Sequence, residues 1–371
     1  METERALLTL HHARLPEAVL RRLLEQHPDP RIALEAARHG GLAGRLRGEC
    51  LAALRRPDTA RLASDLDWLS RPGHRLLGWQ DPDYPPLLRR SPNPPAMIFL
   101  AGDACLPWHA QIAVVGSRRP SAGGRARARR FAEAFASAGW VVTSGLAEGV
   151  DAAAHEGALA FGRTLAVVGT GLDLAYPARH AGLMARVVAG GAVLSEHPPG
   201  TPARASHFPS RNRIIAGLSL GTLVVEAALR SGALITARLA AEAGREVFAL
   251  PGSLDNPLAR GCHRLIRDGA ALVESPEEVV AALAPVAEAL AGQLRGRLDD
   301  AEGASATAPS VQPPSDPDHK RLWSALGHDP TGLDELAART GLTVASLSSM
   351  LLLMELDGRV VNEHGRYARR T

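Results

Sequence analysis

The sequence predicts an α/β protein: a mostly parallel sheet covered on both faces by helices, with a small helical domain before it and a winged-helix-like domain after it. Two observations carry the central part. Seven short β-rich runs alternate with amphipathic helical runs between Ile112 and Ser275. Those runs are nearly continuous in apolar residues, as strands buried on both faces are. A third observation, a change of composition at each end of this region, sets the flanking domains apart.

Taken in order, residues 1–75 repeat leucine- and alanine-rich helical patterns, PEAVLRRLLEQ and RIALEAARHGGLAGRL, interrupted by Gly, Pro and Arg. The proline-rich 81–103 then leads into the central domain, expected over 76–290. Its β runs are IAVVGS (112–117), WVVTSG (140–145), RTLAVVGT (163–170), AVLSEH (192–197), GTLVVEA (221–227), EVFALPG (246–252) and ALVES (271–275). Helical patterns such as RARRFAEAFASAG, GVDAAAHEGALA, LITARLAAEAG and CHRLIRDG fill the spaces, and PEEVVAALAPVAEALAGQL closes the domain. Residues 291–318 carry the Ser/Ala/Pro/Asp-rich DDAEGASATAPSVQPPSDPD, the composition of a disordered linker. Residues 319–371 give three helical patterns and a hairpin, KRLWSALG, LDELAARTG, VASLSSMLLLMEL and RVVNEHGRYAR, the order of a winged helix.

A chain of 371 residues with 46% apolar composition can bury two or three cores. Its formal charge is only +3, so polyanion binding must rest on where charge lies. Lys320 is the sole lysine. Such a bias toward arginine suits bidentate phosphate contacts and equally suits a genome rich in G and C. Cys50, Cys105 and Cys262 have neither metal-ligand nor redox spacing and read as reduced thiols of a cytoplasmic protein. No apolar run reaches the roughly 20 residues of a membrane span, and the first residues lack a signal-peptide pattern. The histidines show no HxxxH or HExxH spacing, so no metal is expected.

Six of the seven β runs end in small or polar residues: Gly116-Ser117-Arg118, Ser144-Gly145, Gly169-Thr170-Gly171, Ser195-Glu196-His197, Glu226 and Pro251-Gly252-Ser253. In an open parallel sheet these ends converge on one crevice, where glycines admit a ligand and helix N-termini offer N–H groups to phosphate. The same residues serve ordinary turn geometry, and both uses fit. GSRRPSAGG lacks P-loop spacing and its Lys-Ser/Thr pair, and GTGLDLA is not GxGxxG, so neither ATP hydrolysis nor a dinucleotide cofactor is expected. Arg118 and Arg119 with Arg125, Arg127, Arg129 and Arg130 form a candidate basic patch. The stretch HFPSRNRIIAG (207–217) falls between two β runs and reads as a loop over the crevice. There Phe208 suits base stacking, and Arg211 and Arg213 suit phosphates; packing and ion pairing explain them as well.

VVGSRRP, SGLAEGVDAAAHEGAL, AVVGTGLDLAYP, the long block from LSEHPPG through FPSRNRIIAG to ALPGS, and NPLARGCHRLIRDGAALVES together closely resemble the DprA/Smf family, over about Gly78 to Ser275. The resemblance implies an extended Rossmann-like domain that binds single-stranded DNA (ssDNA), forms a homodimer and loads RecA onto SSB-covered DNA during natural transformation and recombination. It implies no catalytic residue and no cofactor. Carried over by position, the ssDNA site is Gly116, Ser117, Arg118, Arg119, Ser144, Gly145, Gly169, Phe208, Arg211, Asn212, Arg213, Ser231 and Gly232, with Asn212 and Glu226 organising it. The first domain resembles the SAM-like or helix-hairpin-helix domain of many members.

Two departures lower the positive charge near this site: Glu148, where the family commonly has a basic residue, and Ser210, where a basic residue often precedes Arg211-Asn212. VASLSSMLLLMEL has no Arg or Lys, which disfavours major-groove reading and favours contact with protein. Two other functions fit parts of the sequence. A nucleotide phosphoribohydrolase would use Glu226, though GLSLGT lacks the PGG loop of those enzymes. A nucleotide-sensing transcriptional regulator would use the winged helix.

Overall fold

The computed structural model describes residues 2–39, 47–305, 317–327 and 331–344, with 346–347, 350–351, 354, 360–363 and 366–369. Five helices come first: α1 (Glu2–His12), α2 (Glu17–Gln26), α3 (Pro30–Arg38), α4 (Gly48–Arg55) and α5 (Thr59–Leu69). Asp29 and Asp58 start α3 and α5 by accepting the backbone N–H groups of Arg31 and Arg61. The helices are not a separate body. Leu7, Leu8, Leu20 and Trp68 share one core with residues of β1 (His74–Gly78) and β2 (Met97–Gly102), including Phe99. Residues 1–292 accordingly form one compact unit, and residue 75 bounds a composition rather than a core.

Between β1 and β2 lies the single turn α6 (Pro86–Arg89). The central pattern follows as β3 (Gln111–Val115), α7 (Ala122–Ser137), β4 (Val141–Ser144), α8 (Val150–Ala158), β5 (Thr164–Val167), α9 (Ala181–Gly190), β6 (Ala192–Ser195), α10 (His207–Leu218), β7 (Gly221–Val224), α11 (Gly232–Glu242), β8 (Glu246–Ala249), α12 (Arg260–Arg267), β9 (Ala271–Leu272) and α13 (Pro276–Ser305). All seven expected β runs are strands. β3 through β7 are fully buried, which is why their sequences are apolar without alternation. β1 and β2 were not legible, because the apolar MIFLAG sits inside a proline-rich stretch.

The nine strands form one sheet in the order β1-β2-β6-β5-β4-β3-β7-β8-β9. Pairing from β6 to β9 is parallel, and β1 and β2 add an antiparallel edge. The chain runs outward from β3 to β6 and then returns to the other side of β3 with β7. That reversal opens a crevice beyond the carboxyl ends of β3 and β7, the position ligands take in such sheets.

Two findings differ from the sequence expectation. The segment 207–217 is helix α10, not a loop; Pro209 falls in the first turn, where a missing N–H costs nothing. α13 continues to Ser305, through half of the stretch assigned to a linker, while 306–316 lie outside the described residues.

Residues 293–371 form the second unit. It contains α14 (Pro317–Ala325), α15 (Leu333–Thr340) and a small antiparallel sheet in the order β10 (Thr331–Gly332), β12 (Arg366–Arg369), β11 (Val360–Glu363). Leu322, Leu336, Leu347, Leu351 and Val360 make its core. Arg369 is spent inside it, stacked 4.7 Å from the Trp323 ring and donating to the Trp323 carbonyl. Of the other arginines around this hairpin, Arg366 is exposed, and Arg359 and Arg370 lie outside the described residues. No helix among the described residues is long and apolar enough to cross a membrane.

Candidate nucleic-acid interface

The crevice at the β3/β7 reversal is a cavity of about 680 Å³. Its lining includes Gly116, Ser117 and Arg118 from the turn after β3, Phe208, Arg211 and Asn212 from α10, and Ser231 and Gly232 at the start of α11. Because α10 is helical, Phe208, Arg211, Asn212 and Ile215 fall on one face at i, i+3, i+4 and i+7, and all four line the crevice. A side pocket of about 200 Å³ adds Arg119, Gly145, Glu148 and Pro177, and shares Arg118, Ala147, Tyr176, Phe208 and Arg211.

Phe208 is the centre of an aromatic and cationic group. The Tyr176 ring lies 5.0 Å away, tilted by 42°, and the Arg118 guanidinium stands over Phe208 at 5.7 Å. Tyr176 is 46% exposed, so it presents ring surface to any ligand beside Phe208. Arg118, Arg119, Arg204 and Arg230 are exposed around this group. Sequence reasoning missed Tyr176, Arg204 and Arg230. The quoted run AVVGTGLDLAYP contained Tyr176, and an exposed aromatic beside proline was the signal available.

Arg211 does not take the phosphate-gripping place expected of it. It is 4% exposed and donates to the carbonyls of Gly145, at 2.6 Å, and of Val167, tying together the ends of β4 and β5. Burial pulls its pKa down to about 10, against the opposing pull of Asp151. Asp151 accepts the Gly145 and Ala147 N–H groups, and burial raises its carboxyl above the ordinary value. Beside it, the Leu146 N–H donates to His155 Nε2, so Nδ1 carries the proton and donates to Thr164 Oγ1 at 2.7 Å. Burial, then the Arg211 charge, drives His155 down to about 3 and keeps it neutral. Leu146 itself is held at φ 57°, a conformation uncommon outside glycine, with its carbonyl 2.9 Å from His180 Nδ1. The floor of the crevice is thus a polar network whose hydrogen bonds are made within the protein.

Arg213 is also engaged elsewhere. It points off the crevice face of α10 and pairs with the buried Glu196, whose carboxyl burial raises. Ser144 is buried with its hydroxyl on the Val114 carbonyl, and Gly169 is covered by His207. These three expected residues support the site from behind. Asn212 faces the crevice, and its amide takes no hydrogen bond among the described residues.

The helix N-termini are not equally available. Glu226 is 2% exposed and fills the start of α7: its carboxylate accepts the Ser121 N–H (2.8 Å) and hydroxyl (2.6 Å), with Arg127 and Asn256 alongside. A carboxylate there already complements the helix dipole. The Glu226 carbonyl accepts the Ser117 N–H at 2.7 Å and so fixes the 116–118 turn. α10, by contrast, starts with neither an acidic residue in its first turn nor a side-chain cap. The arginine patch on α7 is likewise divided: Arg127 meets Glu226, Arg129 meets Glu156, Arg130 lies against Phe131, and Arg125 remains exposed. Glu148 is paired with Arg179, which offsets its charge at the pocket wall.

Comparison with known proteins gives one consistent result. The family model described as DNA recombination-mediator protein A matches residues 75–284, and a DprA winged-helix model matches 306–366. Protein Smf of Escherichia coli is 43% identical over 310 residues, covering 83% of this chain and 80% of that protein. The X-ray structure of DprA from Streptococcus pneumoniae superimposes with a TM-score of 0.67 at 36% identity, covering 74% of this chain and 96% of that one. A Helicobacter pylori structure, described as showing the ssDNA binding mode of DNA processing protein A, gives 0.52 at 27% identity over 57% of this chain and 96% of that one.

Proposed function

Because this chain belongs to the DNA recombination-mediator protein A family, the DprA/Smf proteins, we propose that it binds ssDNA in the β3/β7 crevice and passes it to a RecA-type recombinase. The observation that carries this is the Phe208–Tyr176–Arg118 group, ringed by exposed Arg119, Arg204 and Arg230. Bases stack on aromatic faces regardless of sequence, and fixed arginines follow the phosphates. Loading of RecA onto SSB-covered strands, in natural transformation and recombination, is the wider role taken over from the family.

A homodimer would present two crevices to one strand and raise apparent affinity through effective concentration. The support in this chain is an apolar edge: β9 ends the sheet, and Leu254 and Leu272 are exposed around a shared surface with Ile266. An enzyme acting on a bound nucleotide would need the Glu226 carboxylate in the crevice. That carboxylate is buried under α7, so we favour a non-catalytic binding protein.

The test is a titration of labelled oligo-dT with the intact protein and with Arg118→Ala and Phe208→Ala, at low and moderate salt, against matched duplex. Binding that prefers single strands, weakens with salt and falls about tenfold in each variant, roughly 1.4 kcal/mol, is the expected result. Unchanged affinity in both variants would place the DNA contact elsewhere.

A further inference from the structure

Glu148 is out of place in a site for a polyanion. It is the one acidic side chain lining the side pocket, and the only acid on the main crevice lining is Asp151, buried and bonded to backbone. A carboxylate there weakens attraction for phosphate. What it can offer is acceptor oxygens toward a base. Its Oε1 pairs with Arg179, both side chains are partly exposed, and Oε2 has no partner among the described residues. A carboxylate has about four lone-pair sites, so the pair with Arg179 leaves room for more donors. The pocket wall carrying it also holds Tyr176 and Phe208, the two rings on which a base can lie.

Resting on the reading that this crevice binds ssDNA, we propose that Glu148 makes the side pocket a guanine-selective subsite. The chemistry follows from donor patterns. Guanine presents N1–H and the N2 amine side by side, two donors that a carboxylate accepts together. Adenine and cytosine set their single amine next to a ring acceptor, and thymine sets its N3–H between two carbonyls. Each of those places a lone pair against the carboxylate. One base turned into the pocket is therefore read on its Watson–Crick edge while its face rests on aromatic side chains, and the remaining bases stack without selection. Arg179 keeps the carboxylate locally neutralised, so the neighbouring phosphates are tolerated.

The experiment compares affinity for oligo-dT with oligo-dT in which isolated, well-spaced residues are replaced by dG, dA, dC or deoxyinosine. The proteins are wild type, Glu148→Gln, Glu148→Ala and Arg118→Ala. Wild type should bind the dG oligonucleotide about tenfold tighter than oligo-dT. Deoxyinosine, which keeps N1–H but lacks the N2 amine, should lose most of that gain, and both Glu148 variants should bind all oligonucleotides nearly alike. Equal wild-type affinity for all bases would overturn the proposal, as would a dG preference that survives in both Glu148 variants. A dA gain equal to that of dG would mean purine stacking and would overturn it too. Arg118→Ala tests the underlying site separately, since it should weaken every oligonucleotide and leave the dG ratio intact. Failure of wild type to bind any of them would remove the site and the subsite together.

Discussion

Gly145 shows how little freedom the floor of the crevice has. A Cβ added there would run into the guanidinium of Arg211, which is buried and fixed by the Gly145 and Val167 carbonyls. Gly145→Ala is therefore expected to cost about 1–3 kcal/mol, as overpacking does in a rigid core, and to weaken ssDNA binding as well. Thermal unfolding and oligo-dT titration check the two effects. The residue scale also separates the two arginines of α10 that the sequence treated alike. Arg211 is a strut between strand ends and Arg213 a partly buried partner of Glu196, so neither holds the exposed position that phosphate recognition needs. Arg118, with its guanidinium free above Phe208, does.

Among the elements, the junction of β7 with α7 governs the 116–118 turn. Glu226 joins the two: its carboxylate caps α7 through Ser121, and its carbonyl holds Ser117. A Cβ on Gly124 would strike that carboxylate, so the helix start is fitted closely around it. Glu226→Gln keeps one acceptor oxygen but loses the charge and half of the capping pair. We expect roughly 1 kcal/mol of lost stability and faster amide hydrogen exchange over residues 117–124, with ssDNA affinity reduced because Arg118 is less well placed. Exchange in that segment identical to wild type would show that the turn is held by other contacts. At the same scale, α10 replaces the expected loop and gathers Phe208, Asn212 and Ile215 onto one face.

For the molecule as a whole, the buried network beneath the crevice sets a pH dependence. His155 is held neutral with its pKa pushed down to about 3, whereas the unfolded chain takes up a proton below the ordinary value of 6.5. Its contribution is complete above that value and is lost as pH falls through it, by roughly 2 kcal/mol between pH 7 and pH 5. His11 and His197, also depressed by burial to about 3 and about 4, act in the same direction. The melting temperature should fall across this range. His155→Gln, which does not titrate, should be less stable at pH 7 yet show a shallower fall. An equal slope in both proteins would assign the acid sensitivity to other groups.

The amino-acid order alone determined the parallel core, because strands buried on both faces must be apolar throughout and so stand out without alternation. It also pointed to the candidate site, since Gly, Ser and Arg recur where the strands stop, and it carried the family motifs. Only the tertiary structure decided which of those residues line the crevice. Arg211 and Arg213 differ by two positions in sequence and point to different partners on a helix. Glu226 became a cap because α7 starts beside the end of β7. Tyr176 meets Phe208 across 32 residues of chain, a contact that no local pattern encodes. The first helices look self-contained by composition, yet their leucines share one core with Met97, Phe99 and Ala101 of β2. Periodicity records how buried a residue is, while the partner it meets depends on long-range packing.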